Sequence, residues 1–293
     1  MKKGLIFGKF MPFHKGHLAL VEFALSQCER VIVSMSYTPT DPIPAEIRFQ
    51  WLHQIFDENP RIELFQAIDD IPDDGLSLFD ATKLWAEFIH ETFPDIDGVF
   101  CSESYGVPLA EHLGLPVVFF DRERIQVSVS ATAIRNYPFA NWEFIPEVVR
   151  PYFTKKVCLY GPESVGKTTL SFQLANYFQT IVAHEVAREE LTSNEFDIEK
   201  IIEIGKKQTN LVKQRLQGAN KVLFCDTDLI TTQIYSQQYF GKVPQELAEL
   251  EREISYDLYC LRNIDTPWVA DSLRDFGHRR VEMFTVFKGE LEK

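Results

Sequence analysis

Residues 4–17 read GLIFGKFMPFHKGH, in which a short apolar run ends in glycine and leads to two histidines three positions apart. The apolar residues 4–7 are typical of a buried strand, and residues 16–27 have the spacing of a helix. Glycine lets a ligand approach the backbone closely, and the free N–H groups at a helix N-terminus bind phosphate. The stretch therefore predicts a strand, a phosphate-binding turn and a helix, which together open an α/β fold.

Strand-like and helix-like segments alternate along the chain in two successive series. This alternation predicts βαβ units, parallel sheets and ligand sites at the carboxyl ends of the strands. A segment rich in proline and aromatic residues, 141–153, separates the two series. We predict two α/β domains, each doubly wound around a parallel sheet, over residues 1–152 and 153–293. Further strands are expected near 30–35, 61–65, 97–101, 115–120, 156–160, 180–184, 221–225 and 257–262, and further helices near 45–57, 79–93, 105–113, 167–178, 197–217 and 229–239.

The composition narrows the class of protein. The 293 residues include 43 acidic and 30 basic residues, so the formal net charge of −13 argues against a nucleic-acid partner. No apolar run reaches the roughly 20 residues that cross a bilayer, so we expect no membrane association. Five scattered cysteines without a CxxC spacing are typical of buried free thiols, and they predict a location in the reducing cytoplasm.

Residues 8–17 carry the first candidate site, because they resemble the GxFxPxHxGH motif of the nucleotidylyltransferase superfamily. His14 and His17 stand at the predicted helix start. One can hold a nucleotide phosphate, and the other can stabilise charge on the leaving pyrophosphate. We expect both to be catalytic, and Gly8, Lys9 and Phe10 to bind ATP with them.

Residues 129–135, VSATAIR, resemble the second motif of that superfamily, ISxTxIR. Ser130 and Thr132 suit a helix N-cap whose hydroxyl and amide groups face a phosphate of ATP. Arg135 lies one turn later, where its guanidinium can grip the β- and γ-phosphates. The resemblance implies a Rossmann-like domain in which a phosphate of the acceptor attacks the α-phosphorus of ATP.

Residues 161–169, GPESVGKTT, fit the P-loop pattern GxxxxGK[ST] between a predicted strand and a predicted helix. In this pattern the loop amides cradle phosphates, Lys167 reaches the β- and γ-oxygens, and Thr168 coordinates Mg²⁺. Asp226 ends a later apolar run and suits a second Mg²⁺ ligand. The residues expected to bind ATP here are Gly161, Glu163, Ser164, Val165, Gly166, Lys167, Thr168, Thr169 and Arg274.

Several other polar residues are candidates for the P-loop site. Glu185 is a candidate catalytic carboxylate and Arg188 a candidate substrate ligand, the alternative being an ordinary ion pair three residues apart. The arginines of residues 265–280 predict a mobile flap over the phosphates, or else a solvated basic helix. Two further candidate substrate ligands are Asp228 and Trp268.

Both motif sets, in this order, resemble the bacterial bifunctional nicotinamide-nucleotide adenylyltransferase / ribosylnicotinamide kinase family over nearly the whole chain. The resemblance implies a P-loop kinase that phosphorylates nicotinamide riboside with ATP, using Mg²⁺. It also implies that the first domain adenylylates nicotinamide mononucleotide to NAD. Trp85, on the helix before the fourth strand, is then a candidate stacking partner for the nicotinamide ring, or alternatively a core tryptophan.

The chain departs from this family pattern at three places. Some members begin with a helix-turn-helix DNA-binding domain, whereas this chain begins at the first strand, so we expect no transcriptional role. Members often carry tyrosine in the stretch where this chain has Val186 and Glu190, so we expect no aromatic ring from residues 185–190 on the riboside. Members also continue beyond Lys293, so we expect a kinase domain that is short at its C-terminus.

Motif chemistry alone leaves other functions open. One is a different fusion, such as a pantetheine-phosphate type of nucleotidyltransferase with another small-molecule kinase. The other is a non-catalytic regulator that senses ATP or NAD, although the catalytic groups are intact at His14, His17, Lys167 and Asp226. The oligomeric state is open as well, a homo-oligomer being an alternative to a monomer.

Overall fold

A computed structural model describes residues 1–70 and 75–293 of the chain. Its contacts divide the chain into two compact units, Met1–Arg150 and Pro151–Lys293. This division lies two residues before the boundary that we drew from the sequence at 152. Each unit has its own parallel sheet and its own buried core.

The first unit is a five-stranded sheet with helices on both faces. Its strands are β1 (Lys3–Gly8), β2 (Arg30–Tyr37), β3 (Ile62–Ile68), β4 (Gly98–Cys101) and β5 (Val117–Phe119). All pairs are parallel, and the order across the sheet is β3-β2-β1-β4-β5. The helices are α1 (Lys15–Gln27), α2 (Ala45–Phe56), α3 (Leu78–Thr92), α4 (Gly106–Leu113), α5 (Ala131–Asn136) and, across the unit boundary, α6 (Arg150–Phe153).

Strand β1 lies in the middle of the sheet, and its two faces are both buried. Ile6 packs with α1 and α2, whereas Leu5 packs with α3 and α4 on the other face. A Cβ atom on Gly4 would lie 2.7 Å from the ring of Phe100, so glycine lets β4 and β1 approach. The strand order changes direction at β1, and such a switch point opens a crevice at the carboxyl end, next to Gly8.

The second unit is a four-stranded sheet. Its strands are β6 (Lys155–Tyr160), β7 (Val182–Ala183), β8 (Val222–Asp226) and β9 (Leu258–Leu261), all parallel in the order β7-β8-β6-β9. The predicted fold class, two α/β units with parallel sheets, is confirmed. The helices are α7 (Lys167–Tyr177), α8 (Ala187–Glu190), α9 (Ile198–Gly218), α10 (Leu229–Phe240), α11 (Gln245–Glu251) and α12 (Arg280–Leu291).

Helix α12 covers the strand that leads to the P-loop. Phe287 is fully buried with its ring 5.0 Å from that of Tyr160, and the Tyr160 hydroxyl donates to the Phe287 carbonyl at 3.1 Å. The chain after β9 therefore returns to the core of the sheet. Among the residues that the structure describes, no helix is long and apolar enough to cross a membrane.

Candidate active sites

The histidine pair lies where β1 ends and α1 begins. His14 is the N-cap of α1, and its Nδ1 accepts a hydrogen bond from the Gly16 amide at 3.1 Å. Nδ1 of His17 accepts from the His14 amide at 3.3 Å, and the two rings stack with centroids 3.7 Å apart. Since both Nδ1 atoms accept, the proton of each neutral ring sits on Nε2. The pair therefore offers two N–H donors.

The electrostatic surroundings keep both rings neutral. Burial, followed by the nearby Arg124, lowers the pKa of His14 to about 4. Burial also holds the pKa of His17 well below its usual value, and His14 and Arg124 add to this effect. Neutral rings can donate hydrogen bonds to phosphate oxygens without acting as cations, so the positive charge has to come from elsewhere.

A cleft of about 1250 Å³ opens at the histidine pair and brings both sequence motifs together. Arg135 on α5 donates to the Met11 carbonyl of the first motif and, at 3.1 Å, to the Thr132 hydroxyl. Ser130 is the N-cap of α5 and accepts from the Ala133 amide at 3.1 Å. The sequence-predicted residues that line this cleft are Gly8, Lys9, Phe10, His14, His17, Ser130, Thr132 and Arg135.

A buried arginine supports the turn of the first motif. Arg48 is fully buried and donates to the carbonyls of Lys9, Ser36 and Ile43, and to Asp41 at 2.6 Å. The Lys9 ammonium itself lies 3.3 Å from Asp41 and 3.8 Å from Asp69. Lys9 is therefore already paired with carboxylates, and it adds less free positive charge than its place in the motif indicated.

Trp85 lies beside the cleft rather than in its wall. Its ring is 5.4 Å from that of Phe7 and 5.7 Å from that of Phe88, as part of the core beneath β1. Phe7 does line the cleft. Stacking of Trp85 on a nicotinamide ring stays a prediction.

The P-loop follows β6, and Gly161 and Gly166 both have positive φ angles, +136° and +78°. Lys167 begins α7, and its ammonium donates to the carbonyls of Gly161 and Pro162 at 2.8 and 2.9 Å. These carbonyl contacts hold the lysine over the loop, where it can meet phosphate oxygens. Thr168 and Thr169 follow on the exposed first turn of α7.

Asp226 ends β8 beside this loop and is 1% exposed. Within residues 1–70 and 75–293, neither of its carboxylate oxygens has a hydrogen-bond partner. Burial raises the pKa of this carboxyl, and the nearby Thr168 hydroxyl and Lys167 oppose that rise. An unsatisfied carboxylate facing a hydroxyl fits Mg²⁺, which takes a few protein oxygens and completes its shell with phosphates and water.

A second cavity of about 790 Å³ lies beside the P-loop. Glu185 and Arg188 both reach it, and the Arg188 guanidinium lies 3.1 Å from Glu185 and 3.2 Å from Asp271. A role in the site and an ordinary ion pair are therefore compatible for Glu185 and Arg188, since their ion pair forms within the cavity wall. The sequence-predicted residues that line this cavity are Glu163, Lys167, Glu185 and Arg188.

Asp228, Arg274 and Trp268 are among the predicted residues that do not line this cavity. Asp228 is buried as the N-cap of α10 and accepts from the amide and hydroxyl of Thr231 at 2.9 and 2.8 Å. Arg274 donates to the Val269 carbonyl and lies 3.0 Å from Asp271. The guanidinium carbon of Arg280 lies over the Trp268 ring, 5.8 Å from the ring centroid. Their roles in binding nucleotide or substrate stay predictions.

The predicted flap residues are docked on the P-loop in this structure. The Ser164 carbonyl accepts from the Thr266 hydroxyl at 3.0 Å and from the Arg280 guanidinium at 3.1 Å. The Ser164 hydroxyl accepts from the Val269 amide at 2.8 Å. The Arg262 guanidinium donates to the carbonyl of the buried Val165 at 3.4 Å. The segment after β9 therefore contacts the nucleotide loop directly.

Two different family models match the two units, and a single relative matches nearly the whole chain. A model of cytidylyltransferase-like proteins matches residues 5–102, and a model of the AAA domain matches residues 156–293. The trifunctional NAD biosynthesis/regulator protein NadR of Salmonella typhimurium (strain LT2) is 34% identical, over 94% of this chain and 72% of its own. The chain belongs to the NadR family.

Two further comparisons concern the first unit and the fold. A nicotinamide-nucleotide adenylyltransferase of Thermococcus kodakarensis is 29% identical, over 46% of this chain and 71% of its own. A crystal structure of a NadR protein in complex with NR has the same fold, with a TM-score of 0.79 at 24% identity. That comparison covers 99% of this chain and 86% of the other.

Some residues of the chain line the sites without having been predicted. Arg124 lies 2.7 Å from Glu103 at the edge of the first cleft, and both precede the second motif without belonging to it. Phe196, Tyr235 and Tyr239 line the second cavity. The signal for the two tyrosines was their spacing of four residues on the helix after Asp226, which brings side chains to one face.

Proposed function

We propose that the chain catalyses two steps of NAD biosynthesis. Its first unit transfers the adenylyl group of ATP to nicotinamide mononucleotide, giving NAD and pyrophosphate. Its second unit phosphorylates nicotinamide riboside with ATP. The observation that carries the proposal is one chain with 34% identity to NadR over 94% of its length, in which both phosphate sites keep their catalytic groups.

In the first cleft, catalysis consists of positioning and charge stabilisation. A phosphate oxygen of the mononucleotide attacks the α-phosphorus of ATP, and the bond to pyrophosphate breaks. The Nε2–H groups of His14 and His17 donate to the phosphate oxygens as charge develops. Neither ring takes up a proton at neutral pH, because both have lowered pKa values. Arg135 and Arg124 supply the positive charge on the departing pyrophosphate.

In the second cavity, the riboside hydroxyl attacks the γ-phosphorus of ATP, and the bond to the departing ADP breaks. Lys167 neutralises the β- and γ-oxygens, and Glu185 lines the cavity as the carboxylate that accepts the hydroxyl proton. Thr168 and Asp226 would hold Mg²⁺, which supplies Lewis-acid stabilisation of the phosphates when bound. Metal binding would also give the Asp226 oxygens the partners that they lack within the protein.

The alternatives from the motifs alone are less well supported. A pantetheine-phosphate type of fusion would share the motif chemistry, but the relatives that match both halves are NadR proteins. A non-catalytic sensor would not need the unsatisfied Asp226 carboxylate or the neutral histidine pair. We also propose a cytoplasmic location, which the five free thiols support and cell fractionation would test.

The decisive experiment assays the pure protein with ATP and Mg²⁺ and one nicotinamide substrate at a time. The riboside should give ADP, and the mononucleotide should give pyrophosphate and NAD. His17→Ala should abolish only pyrophosphate release, and Lys167→Ala should abolish only ADP release. Each variant serves as the folding control for the other, because each keeps one activity.

Two results would contradict the proposal. If the wild-type protein released neither product, the chain would have to act on other substrates or serve as a sensor. If either variant lost both activities while still folded, the model of two separate sites would fail. Size-exclusion chromatography with light scattering on the same samples would give the oligomeric state.

A further inference from the structure

The wall of the second cavity combines aromatic rings with carboxylates. Phe196, Tyr235 and Tyr239 line it on one side. The rings of Phe196 and Tyr239 are 5.2 Å apart, and those of Tyr235 and Tyr239 are 6.4 Å apart. The carboxylates of Glu163 and Glu185 line the same cavity. Aromatic faces and carboxylates both attract a positively charged group.

Glu163 adds a negative charge to the loop that has to hold a triphosphate. Its carboxylate accepts a hydrogen bond from the Phe276 amide at 3.3 Å. The Phe276 ring lies 5.2 Å from Tyr239 and 6.0 Å from Tyr235, so the carboxylate borders the aromatic cluster. Among the described residues, Glu163 has no ion-pair partner. Its charge is therefore available to a ligand.

The positive charges of the cavity are already engaged. Arg188 is paired with Glu185 and with Asp271, at 3.1 and 3.2 Å. Lys167 donates to the P-loop carbonyls and faces the nucleotide phosphates. The Glu163 carboxylate, next to the tyrosines, is therefore left without an ion pair among the described residues. A neutral ligand would gain nothing from that charge, whereas a cation would be attracted.

We propose that Glu163 makes the kinase select a cationic aromatic riboside over an uncharged riboside of the same shape. The inference rests on the proposed kinase function and specifies the substrate charge that its cavity accepts. In an N-glycosyl pyridinium the positive charge resides in the ring. That ring would pack against Tyr235 and Tyr239 while the Glu163 carboxylate neutralises it. The reduced dihydropyridine riboside has nearly the same shape and no charge.

The test compares these two ribosides with the wild-type protein and with Glu163→Gln. The glutamine side-chain oxygen can still accept from the Phe276 amide, so the variant removes the charge and keeps the anchor. We expect kcat/KM of the wild-type protein to favour the cationic riboside by roughly tenfold or more, given the usual strength of desolvated cation–π and charge contacts. Glu163→Gln should lose most of this preference through a higher KM for the cation.

The pH dependence gives a second readout. Burial raises the pKa of Glu163 to about 7, and Asp275 and Glu185 add to the rise while the Phe276 amide and Lys167 oppose it. Glu163 is therefore protonated below neutral pH and charged above it. KM for the cationic riboside should fall as the pH rises through about 7, and KM for the neutral riboside should not change there. The other titratable or charged groups that face this part of the cavity are Arg188, Tyr235, Tyr239 and Asp271.

A matched control is Glu189→Gln, which removes an exposed carboxylate that pairs with His184 at 3.0 Å outside the cavity wall. It should leave the preference between the two ribosides unchanged. Calorimetric binding of each riboside without ATP gives the same comparison independently of turnover. Equal preference in the wild-type protein and Glu163→Gln, or an equal loss for both ribosides, would overturn the inference.

The two proposals can fail separately. If the wild-type protein phosphorylates both ribosides equally well, the kinase function stands and charge selection by Glu163 is wrong. If it binds and phosphorylates neither riboside, the kinase substrate itself is wrong, and the inference is overturned with it. If both ribosides bind and the cation binds more tightly, but ADP is not released, charge selection stands and the phosphoryl transfer is wrong.

Discussion

The histidines of the first cleft show how two adjacent rings set their own protonation state. Each Nδ1 accepts a main-chain hydrogen bond, so an additional proton would break that bond and place a charge beside Arg124. Burial is the main cause of the lowered pKa values, and the charge of Arg124 adds to it. At neutral pH both rings are donors of fixed orientation.

This arrangement predicts that acid destabilises the first unit. A histidine whose pKa is lowered in the folded state binds a proton more readily when unfolded, so stability is lost as the pH falls from 6.5 towards about 4. For His14 alone this loss amounts to about 3 kcal/mol. His14→Gln should flatten the dependence. The measurement is amide hydrogen exchange of β1, corrected for its intrinsic dependence on pH.

The control for this prediction is His90→Gln, which replaces an exposed histidine on α3 of the same unit. It should leave the slope of stability against pH as it is in the wild-type protein. If His14→Gln had the same slope as the wild-type protein, the lowered pKa of His14 would be wrong.

Sequence reasoning found those site residues whose role depends on local main-chain geometry. His14, His17 and Lys167 lie in motifs that combine a strand end, a turn and a helix start, and such motifs are contiguous in the chain. Arg124 and Tyr239 could not be found in this way. They reach their sites from other elements, and only the packing of the sheet and its helices brings them there.

At the level of elements, long periodic segments were predicted, whereas the short helices α8 and α11 were not. The strands β1 and β8 and the helices α3 and α9 have clear apolar patterns, and the structure contains them close to the expected bounds. The short helices α8 and α11 have 4 and 7 residues, too few to show a period. Such helices form because tertiary contacts stabilise them, since isolated short helices are unstable.

The junction of β8 and α10 carries two aspartates with opposite effects on stability. Asp226 is buried without hydrogen-bond partners in the part of the chain that the structure describes, whereas an oxygen of Asp228 caps α10. Asp226→Asn should raise the free energy of unfolding by roughly 1 kcal/mol, because the cost of burying the charge outweighs the stabilisation by Thr168 and Lys167, and it should abolish the kinase activity. Asp228→Ala should lower that free energy by roughly 1–2 kcal/mol through loss of the cap.

The effect of the Asp226 carboxyl on the free energy of unfolding should depend on pH. Because burial raises the pKa of this carboxyl, it is neutral in both states in strong acid and costs stability only when ionised. The gain from Asp226→Asn should therefore grow as the pH rises. Hydrogen exchange of β6 amides measures both variants, with the exposed Asp265→Asn as control. A loss of stability in Asp226→Asn would contradict the interpretation.

On the scale of the whole molecule, the size of an anionic ligand decides whether the protein attracts or repels it. The chain places a few cations, such as Arg124, Arg135 and Lys167, at its phosphate sites, yet its formal net charge is −13. A small nucleotide meets the local field, whereas a polyanion meets the whole surface. We therefore expect no mobility shift of double-stranded DNA at about 0.1 M salt. A shift that weakens as salt rises would contradict this expectation.

The buried guanidinium of Arg48 determines how the first motif could be transferred to another protein. It ties the carbonyls of Lys9, Ser36 and Ile43 to one another, so the turn of the first motif is held from beneath by a distant helix. A graft of residues 8–17 onto another parallel sheet would leave this support behind. Transplanting the first site therefore requires residues 36–48 as well, which makes the motif and the second βα unit a single transferable module.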